Sequence, residues 1–142
     1  MKKITLIIAL AALLPTFAVA QCRAFTKNKC LPMLEGYVQN DNYNSALLVP
    51  GDEAELLLTF YGGKEYRLLL CSHPILGKVE FEVKDTNGEL IYAGNSEDKQ
   101  LFDFKMANTQ QLIVKIIVPD QTNSVSTHEG CVSVMVGSKE LK

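Results

Sequence analysis

Residues 54–71 read AELLLTFYGGKEYRLLLC. Leu56, Leu58 and Phe60 alternate with Glu55, Leu57 and Thr59, and Tyr66, Leu68 and Leu70 alternate with Glu65, Arg67 and Leu69. A period of two over such spans marks strands with one buried face. Gly62 and Gly63 between them accept the positive φ of a tight turn. The stretch is therefore expected to form a β-hairpin.

The same alternation recurs on both sides. Val79, Phe81 and Val83 point one way, with Glu80, Glu82 and Lys84 opposite. Asp85-Thr86-Asn87-Gly88 then predicts a second hairpin, since Asn-Gly tolerates left-handed φ. Phe102, Phe104 and Met106 share a face, as do Val132, Val134 and Val136. Gln111 to Val118 is apolar on both faces except at Lys115, the pattern of a central strand. Tyr37 to Asn44 reads as a weak edge strand with a loop, and 120–130 as a polar loop. Residues 22–36 are the exception; they can hold a helical turn, but Pro32 argues against a long helix. Seven to nine strands and almost no helix leave a second sheet as the partner for each apolar face. The expected fold is all-β, an antiparallel, jelly-roll-like β-sandwich.

The N-terminus supplies an address. Lys2 and Lys3 precede an apolar run from Ile4 to Leu14, Pro15 breaks it, and Ala18-Val19-Ala20 offers small residues for a peptidase. This is the layout of a secretory signal peptide, too short to span a bilayer. The expected domains are a signal peptide at 1–20 and one sandwich at 21–142, exported to the periplasm or the extracellular space. Gln21 separates the expected cut from Cys22, which argues against a lipid anchor. Without residues 1–20 the chain keeps 12 basic and 16 acidic residues, a net charge of −4. That balance disfavours nucleic acid and anionic membrane as partners.

Export decides how Cys22, Cys30, Cys71 and Cys131 are read. An even count in an oxidising compartment implies two disulfides, with three possible connectivities. The expectation favours Cys22–Cys30, close in sequence, and Cys71–Cys131, on the less apolar faces of two strands. The first bridge carries a condition. A continuous helix over 22–30 would hold those Cα atoms about 12 Å apart, whereas a disulfide spans roughly 4.4–6.8 Å.

Other chemistry is sparse. A nucleophile built on Cys71 with His73 or His128 needs a base in hydrogen-bond reach and a group to orient it. Glu53 with Glu55, and Glu80 with Glu82, are carboxylates at period two that would face a substrate as a glycosidase pair does, but outward strand positions explain them without chemistry. The Asp85 turn lacks a full calcium ladder, and Asn40, Asp41, Asn42 and Asn44 read as a solvated loop. No metal, cofactor or catalytic residue is expected. Glycan binding would need exposed aromatics, and the candidates are Tyr37, Tyr43, Tyr61 and Tyr92 in a chain without Trp.

The run from Pro50 to Tyr92 has a Leu-x-Leu strand, a Tyr-Gly-Gly turn, a Glu-Tyr-Arg strand, a Val-x-Phe-x-Val strand and an Asn-Gly turn. It resembles small exported bacterial proteins of unknown function with a similar cysteine layout. More distantly it resembles the pre-peptidase C-terminal type of β-sandwich found beside secreted proteases, though no protease domain is expected within this sequence. The resemblance implies a sandwich and supplies no catalytic residues. The functional expectation is a non-enzymatic binding or structural module whose partner is an unknown protein or envelope component. The alternative is a small secreted hydrolase or carbohydrate-binding module.

Overall fold

The structure is a computed structural model and describes residues 16–39, 42–121 and 128–142. The expected signal segment lies mostly outside the described residues, as do the middle of the 120–130 loop and Asn40-Asp41. The described part forms two antiparallel sheets. The strands are β1 (Val38–Gln39), β2 (Ser45–Leu48), β3 (Glu53–Phe60), β4 (Lys64–Ser72), β5 (Glu80–Asp85), β6 (Leu90–Asn95), β7 (Leu101–Met106), β8 (Gln110–Ile117) and β9 (Gly130–Glu140). Sheet A runs β1-β9-β4-β7, with β2 also on β9; sheet B runs β3-β8-β5-β6. The expected β-sandwich is the observed architecture.

The alternating faces close on each other. Leu68, Leu70, Val132 and Val134 of sheet A meet Phe60, Phe81, Val83, Leu112 and Val114 of sheet B, all buried. β8 is central in sheet B, flanked by β3 and β5, which accounts for its two apolar faces. β5 and β6 form the Asn-Gly hairpin, with a register shift at Val83/Lys84. Asp85 Oδ1 accepts hydrogen bonds from Asn87 N and Glu89 N, each 2.9 Å long, so its carboxylate organises the turn.

The 54–71 hairpin is not formed. β3 pairs with β8 in sheet B, and β4 pairs with β7 and β9 in sheet A. The Tyr61-Gly62-Gly63 corner carries the chain from one sheet to the other. Both strands have an apolar face, and crossing the sandwich sets those faces opposite each other instead of side by side. Phe60 and Tyr66 then meet edge to face at 5.0 Å. The Tyr66 hydroxyl accepts from Tyr61 N (2.7 Å) and donates to Tyr61 O (3.2 Å), which fixes the corner. A Cβ on Gly62 would stand 2.7 Å from Ala107 O, so the crossing requires glycine there.

The N-terminal region also departs from expectation. Helix α1 (Thr16–Phe25) continues as a π-helical turn (Thr26–Cys30) and a 3₁₀ turn (Leu31–Leu34). Pro32 falls in the first positions of that last turn, where its missing N–H costs nothing. This helical segment lies on the outer face of sheet A. Cys30 and Leu34 pack with Leu69 and Met135 in a second, smaller buried cluster. Thr26, fully buried, joins Ser45 and Ser133 in a triangle of hydroxyls and donates to Cys22 O at 2.8 Å.

All four cysteines are disulfide-bonded, but with a different pairing. The bridges are Cys22–Cys131 and Cys30–Cys71, with Cα–Cα distances of 5.3 and 5.8 Å. The helical run over 22–30 excludes the expected Cys22–Cys30 bridge. Cys71 and Cys131 do share the outer face of adjacent strands. However, Cys71 stands opposite Ser133, which makes Cys131 its diagonal neighbour. Such neighbours lie about 7–8 Å apart, beyond the roughly 4.4–6.8 Å a disulfide spans. Each strand cysteine therefore reaches out to the helical segment.

Candidate functional site

The Cys30–Cys71 bridge sets the start of the Leu31–Leu34 turn on the outer face of sheet A, and the chain then joins the edge of that sheet as β1. Gly36, at φ 89°, turns it into β1. Tyr37 N donates to Leu34 O at 2.9 Å, closing the turn. The Tyr37 ring then lies over Gly137 of β9, where a Cβ would stand 2.6 Å from the Tyr37 Cβ. Leu31, Pro32, Leu34, Glu35, Tyr37 and Gln39 line an open groove of about 530 Å³. A smaller depression of about 210 Å³ lies behind β1, beside Tyr61 and the three-quarters exposed Val38.

Strand register assembles the charges around Tyr37. Arg67 faces Asp103 on β7 and Gly137 on β9; Glu65 faces Lys105 and Lys139. Arg67 donates from Nε and Nη2 to the two Asp103 oxygens at 2.8 and 2.7 Å, a bidentate pair. The Arg67 guanidinium and the Lys139 ammonium each sit 4.6 Å from the Tyr37 ring centroid. The Tyr37 hydroxyl donates to Glu65 Oε1 at 3.0 Å, and Lys139 Nζ lies 3.5 Å from that oxygen.

These contacts shift the ionisation of the cluster. Partial burial raises the Tyr37 pKa above its usual 10.0, and the hydrogen bond to Glu65 and the nearby Asp103 charge add to the rise. The hydrogen bond to Asp103 raises the pKa of Arg67. Burial pulls Lys139 down, but the attraction of Glu65 and of Tyr37 outweighs it and leaves the pKa raised. These contacts favour the neutral phenol of Tyr37 and the charged forms of Arg67 and Lys139. For Tyr37 the sign is definite: its contribution is whole below pH 10 and is lost as pH rises through the raised folded value. Ultraviolet titration of wild type minus Tyr37→Phe is expected to show a phenol titrating above pH 10; a step at or below 10 contradicts the described contacts.

The remaining sequence candidates are dispersed. Cys71 is bonded to Cys30 and is no nucleophile. His73 Nδ1 accepts from Ile75 N at 3.2 Å and caps a 3₁₀ turn, with His73 5.8 Å from the Phe25 ring. Glu53, Glu55, Glu80 and Glu82 lie on the outer face of sheet B. Lys115 is 3.2 Å from Glu53, and Lys84 is 2.9 Å from Glu82. The hydrogen bond from Lys84 lowers the Glu82 pKa, the reverse of the rise a general acid needs. Asn42 Oδ1 accepts from Asn44 N at 3.2 Å, and Asn44 Nδ2 donates to Val134 O at 3.0 Å. Among the described residues no group of three His, Cys, Asp or Glu is placed to hold a metal. Nor is any helix there long and apolar enough to cross a membrane. Sequence reasoning noticed Tyr37 only as one exposed tyrosine among several. It missed Arg67, Glu65 and Lys139, because only strand register brings them together.

No protein-family model matches the chain, and no curated protein matches it in sequence. The fold is similar to that of Aeromonas hydrophila PliG, a periplasmic inhibitor of g-type lysozyme. The TM-score is 0.51 at 9% identity, over 74% of this chain and 90% of PliG. A CBM36-1 domain of a multidomain xylanase from the hindgut metagenome of Trinervitermes trinervoides aligns with TM-score 0.36 at 11% identity, over 77% of this chain and 94% of that domain. A CBM36 carbohydrate-binding module in complex with calcium and xylotriose aligns at 0.35 and 9%, over 75% and 96%. At these identities the likeness to PliG is one of fold.

Proposed function

We propose that this chain is an exported, non-catalytic binding module. Residues 1–20 are removed, residues 21–142 fold as one domain, and the groove beside Tyr37 takes a protruding element of a protein partner in the periplasm or the extracellular medium. The observation that carries this reading is the groove itself. The Cys30–Cys71 bridge holds the start of its wall on sheet A, and its lining joins apolar Leu31, Pro32 and Leu34 to polar Glu35, Tyr37 and Gln39. An apolar centre with a polar rim is the anatomy of a protein contact. The groove is open along its length, so it suits a side chain or loop of a larger partner better than an engulfed small molecule.

A hydrolase is the poorer reading, since Cys71 is consumed by its bridge and one Glu of each pair, Glu53 and Glu82, is held by a lysine. A sugar platform is also disfavoured, because Arg67 and Lys139 engage the Tyr37 ring that a sugar would stack on. The fold shared with PliG makes a g-type lysozyme the first purified partner to test.

The experiment immobilises the exported protein and its Tyr37→Ala and Glu35→Lys variants. Each is challenged with g-type lysozyme and with envelope extract of the source cell. One protein retained by wild type and lost by at least tenfold to both variants is the expected result. Retention of nothing specific, or retention that neither variant alters, overturns the reading.

A further inference from the structure

The groove beside Tyr37 carries one unspent charge. Arg67 is held by Asp103, and Lys139 lies 3.5 Å from Glu65, so the cations around the Tyr37 ring are already matched. Glu35, in the groove lining, is exposed. Among the described residues no Lys, Arg or His comes within ion-pair distance of its carboxylate. None of the other lining residues, Leu31, Pro32, Leu34, Tyr37 and Gln39, is basic. Lys27 and Lys29 stand on the π-helical turn before the groove and are not part of its lining.

The end of the helical segment adds to that charge. Carbonyls at a helix C-terminus carry partial negative charge, which a nearby cation offsets. The last turn, Leu31–Leu34, contains no basic residue of its own to do so. It closes at the groove, where Pro32 O accepts from Glu35 N at 3.4 Å and Leu34 O from Tyr37 N at 2.9 Å. Beside these groups Leu31 and Pro32 keep apolar surface open, while Leu34 is buried beneath them. The groove thus sets a carboxylate and the negative end of a helix next to an apolar wall.

We propose that the groove takes an arginine side chain from a protruding loop of the protein partner, with its guanidinium on the Glu35 carboxylate and its methylene stem along Leu31 and Pro32. The inference rests on the groove reading above and names the residue type which that reading left open. An arginine meets both features at once. Its stem covers apolar surface while its charged head stays wet, and its planar fork donates to both oxygens of a carboxylate. A partner carboxylate would face Glu35 and the helix end as a like charge, and an aliphatic side chain would leave Glu35 unmatched. Without residues 1–20 the chain has 12 basic against 16 acidic residues, an excess that draws a basic partner in the same direction. Arginine is also enriched among the residues that dominate binding energy at protein contacts.

The probe is a capped Gly-Arg-Gly peptide titrated into isotope-labelled exported protein and followed by backbone amide shifts. The control is the same peptide with citrulline, which keeps the shape and loses the charge. So small a ligand binds weakly, with a Kd of roughly 1–10 mM. Shifts concentrated at residues 31–39 are expected with the arginine peptide, and at least tenfold weaker binding with citrulline. Glu35→Gln is expected to weaken the arginine peptide at least tenfold and to level the two. Glu35 is exposed, so the fold tolerates that change; should the variant misfold, the two peptides on wild type decide alone. No shifts at 31–39, equal binding of both peptides, or an arginine preference that folded Glu35→Gln protein keeps overturns the proposal. Capture and titration separate the two readings: a partner retained by wild type with no arginine preference removes this inference alone, and no retained partner removes the reading it rests on.

Discussion

Replacing Cys30 and Cys71 together with serine is expected to lower unfolding free energy by about 4 kcal/mol in the chain-entropy model. For a chain of this size that corresponds to a fall of roughly 12–16 °C in thermal midpoint. The bridge closes 41 residues of separation. Its effect is not confined to the unfolded chain. Cys30 is fully buried between Leu34, Leu69 and Met135, and a serine there puts a hydroxyl among apolar neighbours. The loosened segment is the wall of the groove, so binding should weaken along with stability. Differential scanning calorimetry checks the first effect. A midpoint within about 3 °C of wild type would mean that the helical segment adds almost nothing to the fold.

Phe60→Ala is expected to cost about 3–5 kcal/mol, the range for losing a large aromatic from a core. Phe60 is 1% exposed and ends β3 at the corner where the chain changes sheets. It meets Tyr66 and Phe104, each edge to face at 5.0 Å. Its ring supports Tyr66, whose hydroxyl closes the corner, so the cavity lies beside the device that sets the topology. A domain of this size holds only about 5–15 kcal/mol in total. Urea denaturation should show a much lower midpoint with an unchanged slope. A loss below about 1 kcal/mol would contradict the described packing.

Alternation alone made the sandwich readable. Leu56-Leu58-Phe60, Tyr66-Leu68-Leu70 and the valines of β9 each declare one buried face, and the doubly apolar β8 declares its central place. Pairing was less legible, because alternation says which face is buried and not which strand lies beside it. Gly62-Gly63 thus reads as a hairpin turn, although the same glycines serve a crossing between sheets. The Asn-Gly turn after Asp85 was readable because Asp85, Asn87 and Gly88 make a local structure that needs no distant partner.

Pro32 misled for a related reason. It forbids an α-helical interior position but suits the start of a 3₁₀ turn, and the segment changes helix type just before it. Once the segment is helical, Cys22 and Cys30 part, and both must find partners on the sheet. The Tyr37 cluster depended on that same placement. Glu65, Arg67 and Lys139 look like ordinary solvent-facing strand residues until Tyr37 is laid across them.

The helical segment stapled across sheet A is the element on which the groove and the functional reading both rest. Mass spectrometry of disulfide-linked peptides, from exported protein digested without reduction, tests it most directly. Linked peptides joining Cys22 to Cys131 and Cys30 to Cys71 are the predicted result. Peptides joining Cys22 to Cys30 and Cys71 to Cys131 would contradict it, since that pairing releases the segment from the sheet and removes the groove.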